Sequence, residues 1–350
     1  MNRRTIIAAL LCMNLCTISC TTLGQFTPTA RITVRVQSDD GVPVSGIVVG
    51  ASTFLRRLPG DNFGQPENTT VKQMTDKKGM AVLTLPSLTG EVACGPQPSD
   101  VVVYGPNFPR TGFYWTRGNR VRFTKSEMGK WQPWNPTVEI VLKRIINPIP
   151  MYAKKIEADI GSAAQTALKA GEPVSYDLEK GDWVVPHGNG QTADFIFKLN
   201  AKLSGKMTRD RYPMYDAMFT VTFANKGDGI RPVYVTPING SVFRLPRNAP
   251  EDEYLANLVR QSSRDETGQH GDKPREDENY FFRVRTKKDG QGKIISALYG
   301  KIHGEIGWSY EGYVKFTYYL NPTPNDRNME FDPKKNLFKK LSSLEQVCEP

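Results

Sequence analysis

Few of the residue types that do chemistry stand in an arrangement that would do any. The chain has three histidines in 350 residues. His187 is followed by Gly-Asn-Gly, His270 by Gly-Asp-Lys and His303 by Gly-Glu-Ile, so neither H-x-x-E nor H-E-x-x-H occurs. A zinc hydrolase needs three such ligands around an open fourth position, and the ligands are missing. No G-x-S-x-G elbow raises a serine beside a histidine. Asp177, Glu179, Asp182 and Asp194 are nominal partners for glycoside hydrolysis, which needs two carboxyls about 5–10 Å apart across a cleft. No motif selects a pair among them. Asn325, Asp326, Asn328, Glu330 and Asp332 crowd together oxygens of the kind calcium takes, but without the D-x-D-x-D-G order or its glycine. Asn, Asp and Pro are equally the residues that turns use. The expectation is a non-catalytic protein with no metal and no cofactor. The rival is a cell-surface hydrolase acting on polysaccharide.

The five cysteines divide by position. Cys12, Cys16 and Cys20 lie in a leader with a basic start at Arg3 and Arg4 and an apolar run from Ile6 to Met13. Asn14 breaks that run well short of the roughly 20 residues a membrane span needs, so residues 1–19 read as a secretion signal. The stretch "TISC" resembles the lipobox of bacterial lipoproteins, with Ile18 and Ser19 in the usual places and Thr17 where leucine is usual. Leu11 and Leu15 are too large to precede a lipidated cysteine, which excludes Cys12 and Cys16. The resemblance implies Cys20 as the lipidation site and the cell envelope as the location, with the membrane as partner through the N-terminal lipid. A secreted or periplasmic protein is the alternative. Two or more acyl chains suffice for stable anchoring. Cys94 and Cys348 are expected to be unpaired thiols.

The net charge is +10, or +8 once Arg3 and Arg4 leave with the leader. Acids interleave the bases and no run of five Lys or Arg occurs, so no nucleic-acid stripe is present. An envelope polysaccharide or protein is the remaining kind of partner.

The elements that must position these residues are mostly strands. The first domain is expected over 28–146 and a second, β-rich with minor helix, over 147–346. Ile32, Val34 and Val36 alternate with polar neighbours, as do Ala81, Leu83 and Leu85. Further strands are expected over 44–51, 100–104, 111–116, 119–124 and 137–142. Asp76 and Gly79 in "TDKKGMAVLTL" read as a hairpin turn. The aromatics Tyr104, Phe108, Phe113, Tyr114 and Trp115 are expected to enter a sandwich core in alternation, leaving Arg110, Arg117, Arg120 and Arg122 to water, while Trp131 and Trp134 sit on an exposed loop.

"VRVQSDDGVPVSGIVV" followed by "TDKKGMAVLTL" resembles the carboxypeptidase regulatory-like, transthyretin-like β-sandwich family of bacterial surface proteins. The resemblance covers about a third of the chain and implies a non-catalytic sandwich that accompanies other domains. "YDLEKGDWVVPHGNGQTADFIFKL" and "FTYYLNPTPNDRNMEFDPKKNLF" are similar to segments of uncharacterised bacterial envelope lipoproteins, and no activity comes with that likeness.

Prolines in "IINPIPMYAKK" mark the boundary near Asn147. The stretch "AKKIEADIGSAAQTALKAGEP" fits helix or strand equally. A short helix is expected over "NAPEDEYLANLVR", and a mobile loop over 261–279. The last two strands are expected to pair across "GWSYEG" with one apolar face and one polar face. On the polar face Tyr299, Lys301, His303, Lys315 and Tyr319 form a candidate glycan-binding surface, with Tyr299 near Tyr319 and His303 near Lys315.

Overall fold

The computed structural model describes residues 28–54, 68–85, 91–96, 112–114, 116, 119–157, 161–235, 241–268, 275 and 277–350. Cys20, the strand expected over 100–104, and Tyr104, Phe108, Arg110, Trp115, Arg117 and His270 lie outside them. The chain is mostly β. No helix among the described residues is long and apolar enough to cross a membrane.

The first sandwich is built from β1 (Ala30–Ser38), β2 (Val48–Phe54), β3 (Asn68–Met74), β4 (Met80–Leu85), β5 (Glu91–Pro96), β6 (Asn119–Arg122), β7 (Lys125–Glu127), β8 (Lys130–Gln132) and β9 (Thr137–Leu142). One sheet has the order β4-β1-β9, the other β3-β2-β5-β6, and β7 and β8 form a small hairpin. Strand β1 runs antiparallel to β4, with Ile32 opposite Leu83, and parallel to β9, with Val36 opposite Ile140. The alternating residues Ile32, Val34 and Val36 meet Ala81, Leu83, Val49, Phe113 and Ile140 in one core. Arg120 and Arg122 are exposed, as expected, while Trp131 packs half-buried against this core.

The turn after β3 is built as its residues dictate. Asp76 Oδ1 accepts from Lys78 N and Met80 N, both at 2.8 Å, and Gly79 takes φ +70°. A Cβ at Gly79 would lie 2.3 Å from the Val36 carbonyl oxygen. The turn does not close a hairpin, however, because β3 and β4 belong to opposite sheets and it carries the chain across the sandwich.

The second sandwich comprises β10 (Tyr152–Glu157), α1 (Ala163–Lys169), β11 (Val174–Asp177), β12 (Asp182–Trp183), β13 (Phe195–Met207), β14 (Pro213–Thr222), β15 (Gly229–Tyr234), β16 (Asn257–Arg264), β17 (Glu278–Lys288), β18 (Ile294–Trp308) and β19 (Val314–Asn321). Its sheets have the orders β10-β19-β18-β17-β15 and β12-β11-β13-β14-β16. Phe195, Phe197, Phe219 and Tyr176 from one sheet interdigitate with Phe282, Ile302, Phe316 and Tyr318 from the other. Gly300 makes room for this core, since a Cβ there would lie 2.1 Å from the Phe282 ring. The stretch that fitted helix or strand equally contains both, β10 and then α1, whose cap Ser162 accepts from Gln165 N.

Two expectations are corrected. No helix forms over "NAPEDEYLANLVR"; residues 257–260 instead begin the edge strand β16. The acids that suited a first helical turn are drawn to arginines, Glu253 to Arg231 at 2.7 Å and Glu251 to Arg327 at 2.7 Å, while Leu258 is buried opposite Val221. The stretch 261–279, expected as a mobile loop, is ordered at both ends, because Gln261–Arg264 belong to β16 and Glu278 opens β17 with its carboxylate on Arg260, while 269–274 and 276 lie outside the described residues.

Candidate functional site

The expected polar face of β18 and β19 is present but is not open. Leu298, Ile302, Ile306, Val314, Phe316, Tyr318 and Leu320 face the sandwich core, as their alternation requires. On the other face Tyr299 is 6% exposed, Lys301 0% and Tyr319 1%, and of the five candidate residues Lys315 alone is exposed. A tyrosine so covered offers no ring to a sugar, so the open binding face is corrected. The cover comes from loops distant in sequence: Leu245, Ala249, Met329, Phe331 and Val347 pack onto Tyr299 and Tyr319. The strands do pair antiparallel, but Tyr299 stands opposite Asn321, Lys301 opposite Tyr319 and His303 opposite Thr317. A bulge follows His303, where Gly304 has φ +77°, and Lys315 ends opposite Gly307 instead.

The buried face is polar and only partly satisfied. Tyr319 Oη lies 3.0 Å from both His303 Nδ1 and the Glu349 carbonyl oxygen. A phenol with one proton that donates to the carbonyl must accept from Nδ1–H, which leaves His303 Nε2 as a bare lone pair. Nε2 is buried without a partner, as is Lys301 Nζ. The Lys301 amine sits between two rings, 4.7 Å from the centroid of Phe243 and 4.6 Å from that of Tyr319. Burial, with Lys143 close by, holds its pKa well below that of an ordinary lysine. Burial likewise depresses His303, reinforced by Lys301, Arg244 and Lys143. The imidazole of His303 is therefore neutral near pH 7, and burial favours the uncharged amine of Lys301.

Phe243 links this face to the first sandwich. Its ring stacks on Tyr114 at 5.1 Å and 26°. Around the stack, Glu330, 1% exposed, accepts through Oε1 from Tyr114 Oη (2.8 Å), Ile146 N (2.8 Å) and Arg247 Nη1 (3.2 Å). Its Oε2 accepts from Asn147 N at 2.7 Å. Arg247 extends the network to Asp39 Oδ2 at 2.8 Å, and Lys143 Nζ donates to the carbonyls of Arg244 and Leu245 at 3.0 and 3.3 Å. Burial, then the charge of Glu330, pushes the Tyr114 hydroxyl far above the ordinary tyrosine range, so it stays a donor. This junction holds no nucleophile beside a base. It is a hydrogen-bonded link between segments up to 216 positions apart.

In the sequence Glu330 stands among oxygen-rich residues that suit calcium or turns alike and Tyr114 among those expected in the sandwich core, while nothing local marks Phe243 or Arg247. The burial of three consecutive residues, Met329, Glu330 and Phe331, marks a segment covered on all sides. The other oxygen-rich residues around it serve turns: Asp326 accepts from Asn328 N, Asn328 from Glu330 N, and Asp332 from Lys334 N, each at 3.0 Å. Among the described residues no group of three or more His, Cys, Asp or Glu is placed to hold a metal.

Three of the four nominal hydrolase carboxylates converge on one arginine. Arg285 lies in a bulge of β17 with φ +55°, and its backbone N and that of Thr286 donate to Asp228. Its guanidinium binds Asp194 Oδ1 at 2.8 Å, Asp177 Oδ1 at 3.0 Å and Glu179. Asp177 also accepts from Gln191 N and Thr192 N, both at 3.0 Å. Asp182 instead accepts from Trp183 N and Asn189 N. These carboxylates organise the 177–194 loop, and Asp177 and Asp194 are buried. Cys348 is an exposed free thiol.

No family model and no curated protein matches the sequence. Among solved structures, the chain is similar to the shaft pilin SpaA of Lactobacillus rhamnosus GG, at 10% identity over 75% of this chain and 89% of that one, with a TM-score of 0.23. It is also similar to BcpA, the major pilin subunit of Bacillus cereus, at 10% identity over 86% and 99% of the two chains, with a TM-score of 0.21. A third is the Bacillus anthracis TIE protein, at 14% identity over 87% of this chain and 49% of that one, with a TM-score of 0.20. Scores this low do not establish a shared fold or role.

Proposed function

We propose that this is a non-catalytic cell-envelope protein working by support and contact, with two β-sandwich domains, 28–146 and 147–346, locked into one rigid body. The observation that carries this reading is Glu330, a buried carboxylate whose two oxygens take four hydrogen bonds from both sides of the junction. A buried acid is destabilising unless it is fully paired, and this one is paired by groups that meet only when the sandwiches are docked. The resemblance of residues 28–146 to regulatory-like modules, which carry no catalysis, agrees with it. The leader and "TISC" support an envelope location with a lipid on Cys20, a reading in which the membrane is the first partner and an envelope polysaccharide or protein the second. The rival hydrolase loses three of its nominal carboxylates to Arg285.

Two measurements test the reading. Growth with an alkyne-tagged fatty acid should label the wild-type protein and not a Cys20→Ala variant; unlabelled wild type, or a labelled variant, contradicts the anchor. Limited trypsin digestion should spare the segment 143–150 in the wild-type protein and cut it in Glu330→Ala. Equal cutting in both contradicts the locked junction.

A further inference from the structure

The hairpin of β13 and β14 runs past the sandwich that supports it. Phe195, Phe197 and Leu199 are buried in turn along β13, but every residue from Asn200 to Met207 is exposed. Strand pairing continues where the cover stops, with Leu203 opposite Tyr215 and Met207 opposite Pro213 on either side of a bulge. Thr208 N donates to the Tyr212 carbonyl at 2.8 Å and Arg211 N to the Thr208 carbonyl at 3.0 Å, which closes the turn. The projecting end is thus a hydrogen-bonded arm. Residues opposite each other on paired strands share a face, so Leu203, Met207 and Pro213 prolong the face that Tyr215 turns to the core. Tyr310 covers Tyr215, stacking on it at 4.3 Å, and nothing comparable covers the rest: Leu203 is 59% exposed, Met207 61% and Tyr212 59%. The Arg264 guanidinium lies over the rings of both Tyr212 and Tyr215, which sets Tyr212 on the same side.

The charges on this arm are mostly positive. Between Leu203 and Pro213 stand Lys206, Arg209 and Arg211 against Asp210, all exposed. Elsewhere in the second sandwich Arg231, Arg260, Arg285 and Arg327 are each held by a carboxylate. Among the described residues no carboxylate lies within 4.0 Å of Lys206, Arg209 or Arg211. The acids after β16 are set back from the turn, since Asp265 and Glu266 follow Arg264, which pairs with Tyr215, and Asp265 Oδ1 accepts from Thr267 N and Oγ1. A projecting hairpin end has too few side chains for a stable protein interface, which takes about 800 Å² from each partner. A bilayer needs no matching shape. Exposed apolar side chains and a tyrosine among Lys and Arg suit the level of the lipid headgroups, and cations without acids favour anionic lipid.

We infer that the end of the β13–β14 hairpin docks on an anionic lipid surface, with Leu203, Met207 and Tyr212 among the headgroups and Lys206, Arg209 and Arg211 on lipid phosphates. The contact is independent of a lipid on Cys20, and the test uses residues 28–350, which lack that cysteine and hold both sandwiches. The probes are vesicles of phosphatidylcholine, with and without a third of the lipid replaced by phosphatidylglycerol, and flotation reads the bound fraction. The chain should bind the anionic vesicles about tenfold more tightly than the neutral ones, and salt should erode that margin. The double variant Leu203→Ser, Met207→Ser should bind about tenfold more weakly. Lys206→Gln with Arg209→Gln should weaken binding about tenfold on anionic vesicles alone. All four side chains are exposed, so these variants should melt with the wild type, and Tyr212→Ser gives a third reading should either melt early. No binding to anionic vesicles, equal binding to both kinds, unchanged binding in the double variants, or lipid-free self-association that the apolar substitutions abolish would overturn the assignment.

Discussion

The hydroxyl of Tyr114 donates to Glu330 Oε1 at 2.8 Å across 216 positions of sequence, and both groups are buried. Tyr114→Phe should cost about 1–2 kcal/mol, because the carboxylate keeps its other three donors. Glu330→Ala should cost about 3–5 kcal/mol, since it strands Arg247, the phenol and two backbone N–H groups together. Urea unfolding checks both, and equal costs for the two variants would contradict the network as drawn.

Lys301→Met should raise stability by about 1–3 kcal/mol. The amine is fully buried with no partner, and the thioether fills the same space between Phe243 and Tyr319. A loss of stability would mean that the amine is charged and held by the two rings.

The acid side of the stability profile should carry the signature of His303. Its folded pKa lies well below the ordinary 6.5, so the folded state binds fewer protons than the unfolded one. Its contribution is complete above pH 6.5 and is lost as pH falls below that value, by up to about 1.4 kcal/mol per pH unit for a single proton. The groups facing it, Lys301, Lys143, Arg244 and Tyr319, supply no acid to offset the charge. His303→Gln should flatten the wild-type slope between pH 6.5 and 5, as read by denaturation at half-unit steps. Parallel profiles would exclude His303 as its source.

Arg285→Met should destabilise by about 3–5 kcal/mol at pH 7, leaving Asp194 and Asp177 buried beside each other without their cation. Burial already raises Asp194 in the presence of that arginine. Without it the folded pKa rises further, so the folded state takes up a proton that the unfolded state does not until lower pH. The deficit should therefore shrink from pH 7 to pH 5. A deficit that is independent of pH would mean that only packing was lost.

The strand pattern was legible where one face of a sheet was apolar and the other wet. Ile32, Val34 and Val36 and the core parity of Leu298, Ile302 and Ile306 follow from local rules. Local rules do not say which sheet a strand joins, so Asp76 and Gly79 marked a turn correctly and its hairpin wrongly. Nor do they say what lies over a polar face. Tyrosine and lysine serve at a surface or in a satisfied interior, and the cover on Tyr299 and Tyr319 comes from residues 245–249 and 329–347, which carry no periodic signal. Arg285 and Glu330 were illegible for the same reason, since each gathers partners from segments that only the fold brings together.

The central claim is that the Glu330 junction makes the two sandwiches one rigid body. Spin labels on azide-bearing residues at Lys72 and Lys198, one exposed position on each sandwich, leave the native cysteines untouched. Double electron–electron resonance should give a single narrow distance distribution for the wild-type chain and a broad one for Glu330→Ala. Broad distributions for both, or narrow ones for both, would contradict the claim.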